Sequence, residues 1–323
     1  MPKVTVIVPN YNHGRFLEKR IDSILQQTFQ DLEIIVLDDC SSDNSREIID
    51  FYKKQFPQIR THYNEKNSGS PFQQWDLGIQ KSIGEFIWIA ESDDFADREF
   101  LSCTVPILEN NPKVGLVNCE SRIVDETNQI TTNHFYNQAL LKKRETYFNC
   151  GMNEILSDLY TNCGIVNVSA VLLRKKYYFE SGKVDTSMKF CGDWLLYIKM
   201  LMISDIAYLR KPLNYWRIHS NSSFHKYFQD EFFLKESLIV YRYLYDRVPI
   251  DPQKQKNISH RLANLLLMQI KRKGLPSKKL FRQIKKIDPF FELRTILILV
   301  KSFLHNLFQG SISKLKNSLL NLI

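Results

Sequence analysis

The sequence lacks the glycine motifs with which many proteins bind phosphate. It has 11 glycines in 323 residues, and neither G-x-G-x-x-G nor G-x-x-x-x-G-K-[ST] occurs among them. The loop after the first predicted strand, residues 9–14, has a single glycine. The sequence therefore argues against a Rossmann dinucleotide site and a P-loop. A bound nucleotide would need another counter-charge for its phosphates.

Cysteine pairs and a leader sequence are also missing. Six cysteines are scattered without a C-x-x-C pair, which argues against a zinc ribbon or a redox motif. The start of the chain has too short an apolar run for a signal peptide and no small-residue cleavage site. We therefore expect free thiols and a cytoplasmic location.

The body of the chain has no excess of positive charge, although the net charge of the whole chain is +9. From residue 271 onward, twelve Lys or Arg face only Asp288 and Glu292, a net charge of +10. The remainder is therefore close to neutral. We expect no nucleic-acid partner, because the body lacks a basic surface.

Short apolar runs alternate with helical patterns in the first hundred residues. Strands are predicted at 4–9, 32–39, 59–64 and 84–94, and helices at 15–27, 41–56 and 72–83. This alternation predicts an α/β fold with a doubly wound, mostly parallel sheet flanked by helices.

The rest of the chain is predicted in less detail. Further strands are predicted at 114–125, 167–178 and 206–219, and an apolar helix at 192–202. From about residue 221 the pattern is helical, with helices at 231–248 and 257–274. We predict a catalytic domain over 1–220 and a basic helical region over 221–323.

Acidic residues follow two of the predicted strands. Asp38 and Asp39 end the second strand, and Glu91, Asp93 and Asp94 end the fourth. Ligands of open α/β sheets bind at the carboxyl ends of strands. Buried like charges are unfavourable, so we expect something positive among them, such as Mn²⁺ or Mg²⁺ with a substrate phosphate. The alternative is that these acids are solvated or cap helices.

Four ordered blocks of the sequence resemble glycosyltransferase family 2. They are "VTVIVPNYNHGRFLEKRIDSILQQTFQDLEIIVLDDCSSDNS", "GEFIWIAESDD", "CGDWLLYIKML" and "PLNYWRIH", which together cover residues 3–220. The resemblance implies the GT-A fold, a nucleotide-diphosphate sugar donor, a divalent metal and inversion at the anomeric carbon.

The resemblance also implies roles for individual residues. Pro9 and Tyr11 would lie beside the nucleotide base, and Asp39 would accept a hydrogen bond from it, typically from uracil N3–H. Asp76 would belong to the same nucleotide-binding set, where the family often has Asn. Trp75 stands where the family often has Arg, and Cys40 where it often has Gly.

The remaining implied roles concern the metal and the reaction. Glu91 and Asp93 stand at the D-x-D motif, Glu91 replacing its first Asp, and both are candidate metal ligands. Arg217 and His219 stand where some members contact the diphosphate or the metal. Asp193 stands at the catalytic base, a role that suits a group already ionised at pH 7. The residues alone favour an N-cap of the helix predicted to follow Asp193, and the family context favours the catalytic base.

The tail, residues 290–323, is apolar and basic, and its longest apolar run is only Ile296 to Val300. Such a run is too short to span a bilayer, which needs about 20 apolar residues. We expect the tail either to lie on the inner face of a membrane or to pack on the protein or a second subunit.

The function predicted from the sequence is an inverting, metal-dependent glycosyltransferase. Its expected donor is a nucleotide-diphosphate sugar, with UDP as the expected nucleotide, and its expected acceptor is a surface polysaccharide or a lipid-linked saccharide. The alternatives are a sugar nucleotidylyltransferase, which would need a glycine-rich loop, and a non-catalytic nucleotide- or glycan-binding module.

Overall fold

The computed structural model describes residues 1–131, 146–220, 222, 231–273 and 278–287. Cα proximity divides the chain into two compact units, Met1–Phe228 and Gln229–Ile323. All the residues predicted to form the site belong to the first unit.

The first unit is built on a nine-stranded mixed sheet. The strands are β1 Val4–Asn10, β2 Leu32–Asp38, β3 Ile59–Tyr63, β4 Phe86–Ile89, β5 Phe95–Ala96, β6 Val114–Val124, β7 Tyr147–Asn149, β8 Val171–Arg174 and β9 Asp205–Arg217. Their order across the sheet is β3-β2-β1-β4-β8-β6-β9-β5, and β7 pairs with β9.

The first four strands form the parallel part of this sheet. β1 lies between β2 and β4 and is parallel to both, and β2 is parallel to β3. β1 is buried at every position, as expected for a strand covered on both faces. Because parallel strands end at one edge, the residues after β1, β2 and β4 are brought together there.

Helices cover both faces of the sheet. Those of the first unit are α1 Gly14–Leu25, α2 Ser45–Gln55, α3 Pro71–Lys81, α4 Phe100–Asn110, α5 Gly151–Glu154, α6 Lys175–Glu180 and α7 Gly192–Leu201. A π-helical turn, Ile155–Leu159, follows α5. The core joins the valines and isoleucines of β1 and β2 to the apolar faces of α1 and α2. Helix α4 was not anticipated from the sequence, and it contains Pro106, a residue that usually interrupts helices.

The second half of the sheet contains antiparallel strands. β8 lies antiparallel between β4 and β6, while β6 and β9 are parallel. The single strand predicted over 167–178 is wrong in extent, because the segment comprises a 3₁₀ turn, Val168–Ala170, then β8, then α6. The chain leaves the sheet where the apolar run ends at Arg174, whose buried guanidinium donates to the carbonyl of Val114.

The second unit is helical where it is described. It contains α8 Glu231–Arg247, α9 Pro252–Lys273 and α10 Lys278–Ile287. None of the described helices combines the length and the hydropathy required to cross a membrane. The tail at 290–323 lies outside the described residues, so its predicted membrane contact remains a prediction.

Candidate active site

Side-chain hydrogen bonds join the loops that follow β1 and β2. Asn10 Nδ2 donates to Asp38 Oδ1 at 3.0 Å. The backbone N–H of Asn12 donates to Ser41 Oγ at 2.9 Å, and that of Ser42 donates to Asn12 Oδ1 at 2.7 Å. Asn12 has a φ of 56°, a left-handed conformation that asparagine tolerates better than most residues. These contacts hold the two loops side by side.

A first cleft opens between these loops and the start of α3. It is lined by residues that include Pro9, Tyr11, His13, Asp39, Gly69, Pro71 and Glu91. Tyr11 is 47% exposed, so its ring is available as a wall for a bound molecule.

Asp39, in this cleft, is surrounded by hydrogen-bond donors. Its Oδ1 accepts from Asn64 Nδ2 at 2.7 Å and Gln74 Nε2 at 3.0 Å, and its Oδ2 accepts from Ser68 Oγ at 2.7 Å. The N–H of Ser68 is shared between both oxygens. A carboxylate has about four acceptor sites, and these four donors occupy them, so a donor from a bound molecule would have to displace one of them.

Glu91 lies at the end of β4 and is held at three points. Its Oε1 accepts from Trp75 Nε1 at 2.7 Å, its carbonyl accepts from Arg20 Nε at 2.8 Å, and its N–H donates to Ser169 Oγ at 3.1 Å. Burial, reinforced by the charge of Asp93, raises the pKa of Glu91 to about 8. Without a bound cation, Glu91 is therefore mostly protonated at neutral pH.

Asp93 turns the other way, toward two histidines. His219 Nε2 donates to Asp93 Oδ2 at 3.0 Å, and the rings of His13 and His219 meet edge to face at 5.4 Å. Burial opposes ionisation of Asp93, but the two imidazoles outweigh it and lower its pKa to about 2. Asp93 is therefore an anion at neutral pH.

His13, Asp93 and His219 fit a divalent metal. One ligand atom from each lies within 4.8 Å of the others. His219 Nδ1 is buried and has no hydrogen-bond partner among the described residues, as expected for a nitrogen that awaits a ligand. Glu91, predicted as a ligand, is not part of this group. His13 is part of it, although the sequence around His13 carries no recognisable pattern.

Asp94 is held by hydrogen bonds from other residues of the protein. It accepts from the N–H of Arg217 at 2.8 Å and from Asn167 Nδ2 at 2.9 Å. Burial, with the charge of Asp93, raises its pKa to about 6. The Arg217 side chain donates to the carbonyl of Asp93 at 2.7 Å, so this arginine braces the acidic turn from behind.

Arg20 supplies a positive charge next to the three acids that follow β4. Its side chain is fully buried beneath them, and the charges of Asp94, Asp93 and Glu91 partly offset its desolvation. Burial lowers the pKa of Arg20 to about 10, which leaves it charged at neutral pH. Its Nη1 and Nη2 have no hydrogen-bond partner within the described residues. Sequence reasoning missed Arg20, although its place on the apolar face of α1 was a readable signal.

Asp193 lies in a second cleft, in the first turn of α7. The helix begins at Gly192 and its N-cap is Cys191, so the N-cap alternative for Asp193 is wrong. The second cleft is lined by residues that include Phe72, Trp75, Glu91, Asp93, Asp193, Trp216 and Arg217. Pro71 and Glu91 line both clefts, which therefore adjoin.

Most of the predicted site residues thus meet at one edge of the sheet, but Asp76 does not. Asp76 lines neither of the two clefts. Its carboxylate accepts from Tyr178 Oη at 2.8 Å and lies 3.9 Å from Lys183 Nζ. It braces α3 against α6, which contains Tyr178.

The family model for glycosyl transferase family 2 matches residues 5–178, more than half of the chain. The chain belongs to glycosyl transferase family 2. The family resemblance noted in the sequence is thereby confirmed.

Curated relatives include named glycosyltransferases. The chain is 26% identical to the poly(ribitol-phosphate) beta-N-acetylglucosaminyltransferase TarS of Staphylococcus aureus over 211 residues, 56% of this chain and 36% of TarS. It therefore spans about a third of the length of that relative. It is 28% identical to the glycosyltransferase GlyG of Streptococcus pneumoniae over 223 residues, 68% of this chain and 72% of GlyG.

Solved structures confirm the GT-A-type fold. Residues 1–349 of S. aureus TarS, in complex with UDP-GlcNAc, match with a TM-score of 0.66 at 19% identity, covering 90% of this chain and 80% of that one. The mannosyltransferase PcManGT of Pyrobaculum calidifontis, in complex with GDP-Man and Mn²⁺, matches with a TM-score of 0.57 at 17% identity, covering 95% and 88%. At these identities the likeness concerns the fold.

Proposed function

We propose that this family 2 protein is an inverting, metal-dependent glycosyltransferase. It transfers a sugar from a UDP-sugar to a hydroxyl group of a surface polysaccharide or a lipid-linked saccharide. The acceptor class is supported by the names of two relatives, TarS and the GalNAc(5)-diNAcBac-PP-undecaprenol beta-1,3-glucosyltransferase of Campylobacter jejuni, which is 32% identical over 145 residues.

One observation carries the proposal. Two clefts adjoin at Pro71 and Glu91, with Asp39 in the first and both Asp93 and Asp193 in the second. A donor nucleotide in the first cleft would direct its sugar toward the second. The base would meet Tyr11, and its N3–H would donate to the carboxylate of Asp39 in place of one of the donors from Asn64, Ser68 or Gln74.

The metal would be held by His13, Asp93 and His219 and would stabilise the negative charge of the departing diphosphate. Two imidazole nitrogens beside one carboxylate favour Mn²⁺ over Mg²⁺, because Mg²⁺ prefers an all-oxygen shell. The support is the grouping of these three side chains, together with the Mn²⁺ in the PcManGT complex.

Asp193 would act as the general base of the transfer. Its place in the first turn of α7 fits this role, because the positive end of a helix favours an ionised carboxylate and holds it rigidly. Asp193 would take the proton of the acceptor hydroxyl as the oxygen attacks the anomeric carbon. Attack from the Asp193 side and departure on the Asp93 side would invert the configuration.

Replacement of the proposed base tests this division of labour. In Asp193→Asn we expect kcat to fall at least ~10²-fold, because the amide cannot accept the proton. The dissociation constant for UDP with Mn²⁺, measured by calorimetry, should stay within twofold of that of the wild type. The matched control is Asp185→Asn, an acid before α7 that lines neither cleft. Unchanged turnover in Asp193→Asn would refute the assignment.

A further inference from the structure

The first two turns of α3 touch both sides of the second cleft. Before the helix, Ser70 Oγ donates to the carbonyl of Met188 at 2.6 Å, and Ser70 is 6% exposed. This bond ties the start of α3 to the segment that leads into α7 and Asp193.

Phe72, on α3, packs directly against the first residue of α7. Its ring is 2% exposed and lies directly against Gly192. A Cβ atom built on Gly192 would lie 2.6 Å from Phe72 Cε2, 2.7 Å from Cδ2 and 2.8 Å from Cζ. Real carbon atoms need about 3.5 Å, so only glycine allows this approach.

Trp75 continues the contact to the other side of the cleft. Its ring meets that of Phe72 edge to face at a centroid distance of 4.8 Å, and it is 3% exposed. Its Nε1 donates to Glu91 Oε1 at 2.7 Å. Glu91 lies two residues before Asp93, so an unbroken row of contacts runs from Gly192 through both rings to the acidic turn.

We infer that Phe72 and Trp75 form an aromatic spacer that sets the separation between Asp193 and the acidic turn at residues 91–94, and that Gly192 is a positioning residue that lets α7 seat against this spacer. The inference rests on the proposed function, because it deepens the role given to Asp193. Both rings are buried and packed against one another, so the spacer has no rotamer freedom with which to absorb a change in thickness.

The spacer predicts a specific defect in Gly192→Ala. The new methyl group should push the first turn of α7 away from Phe72 by about 1 Å. A misplacement of that size costs about 10²-fold in rate, because the base no longer reaches the acceptor proton. We expect kcat to fall about 10²-fold while the dissociation constant for UDP with Mn²⁺ changes less than twofold.

A second substitution separates positioning from damage to the fold. Phe72→Val removes all three ring atoms that meet the new methyl group. The double variant Gly192→Ala/Phe72→Val should therefore regain at least tenfold in kcat over Gly192→Ala. The matched control is Gly115→Ala, whose Cβ would meet Ser204 Oγ at 2.1 Å away from both clefts. It should lower the melting temperature and leave the kcat of the folded protein unchanged.

Three results would overturn the spacer: wild-type kcat in Gly192→Ala, a double variant no faster than Gly192→Ala, or an undisplaced α7 in a crystal structure of Gly192→Ala. The last readout needs no activity. If Gly192→Ala does not fold, Phe72→Val alone is decisive, since wild-type kcat in that variant also overturns the spacer.

Asp193→Asn separates this inference from the proposed function. If Asp193→Asn remains active while the double variant is rescued, the base assignment fails and the spacer stands. If it is inactive while Gly192→Ala has wild-type kcat, the spacer fails and the proposed function stands.

Discussion

The ends of β2 and β4 place carboxylic acids at the same edge of one sheet, yet the two environments differ. Asp39, after β2, accepts hydrogen bonds from Asn64, Ser68 and Gln74. Glu91, after β4, accepts one side-chain hydrogen bond, from Trp75, and lies beside Asp93. The end of β2 is rich in donors, and the end of β4 is rich in charge.

This difference shows that position at a strand end does not define the chemistry of an acid. The carboxylate of Asp39 is held in the first cleft by side-chain donors from three residues. A carboxyl group that is buried beside another acid keeps its proton. At β4 the acids are therefore divided: Asp93 is an anion held by histidines, whereas Glu91 is a neutral wall shared by both clefts.

The largest expected effect is that of replacing Asp93, because metal binding should depend on the end of β4 and not on the end of β2. In Asp93→Ala we expect UDP to bind with the same dissociation constant with and without Mn²⁺, and transfer to fall at least ~10²-fold, because the carboxylate ligand is gone. Calorimetry and a transfer assay measure both. Asp76→Asn, outside the clefts, is the control and should retain the metal response. Normal Mn²⁺-dependent binding in Asp93→Ala would remove Asp93 from the metal site.

Arg20, beside the acids that follow β4, can be compared with Arg46, which pairs with Asp38 at the end of β2. Arg20→Met should lower the free energy of unfolding by about 3–5 kcal/mol, because it leaves buried acids without their counter-charge. Arg46 pairs with Asp38 at 3.3 Å, but its side chain is 47% exposed. Arg46→Met should therefore cost about 1 kcal/mol or less. Urea unfolding measures both, and equal losses would contradict the counter-charge role of Arg20.

The smallest expected effect is a pH-dependent gain of stability in Glu91→Gln. The folded pKa of about 8 lies above the ordinary value of 4.5, so the unfolded chain loses this proton first, and wild-type stability should fall as pH rises from 4.5 to 8. Glu91→Gln removes that penalty and keeps an acceptor for Trp75. Its advantage over the wild type should grow with pH, reaching roughly 2–4 kcal/mol at pH 8.

Urea unfolding in EDTA at pH 5, 6, 7 and 8 checks this prediction without a metal. Both proteins should retain a slope of the same sign below about pH 6 from Asp94. Asp39→Asn is the comparison at β2. Its amide N–H₂ group would face other hydrogen-bond donors, which should lower the free energy of unfolding by about 1–3 kcal/mol. An advantage of Glu91→Gln that does not change with pH would mean that Glu91 is already ionised.

Much of the site was readable as positions along the chain. Asp39, Asp93 and Asp193 were predicted from strand ends and from family motifs, and the structure places them around two adjoining clefts. His13 was not readable, because a histidine in a loop carries no periodicity. Arg20 was overlooked, because its burial depends on acids that lie 71 to 74 residues further along the chain. Asp76 was grouped with the site because it stands where the family often has Asn, but its carboxylate accepts from Tyr178 and lines neither cleft.

The amino-acid sequence by itself determined the alternation of strands and helices, the family, and the edge of the sheet where the acids gather, because periodicity and parallel pairing are local or generic. Only the tertiary structure decided which acid keeps its proton, which histidines join Asp93, and how closely α7 approaches Phe72. These depend on burial and on contacts between residues distant in the chain. Their energies follow from distances that no local pattern encodes.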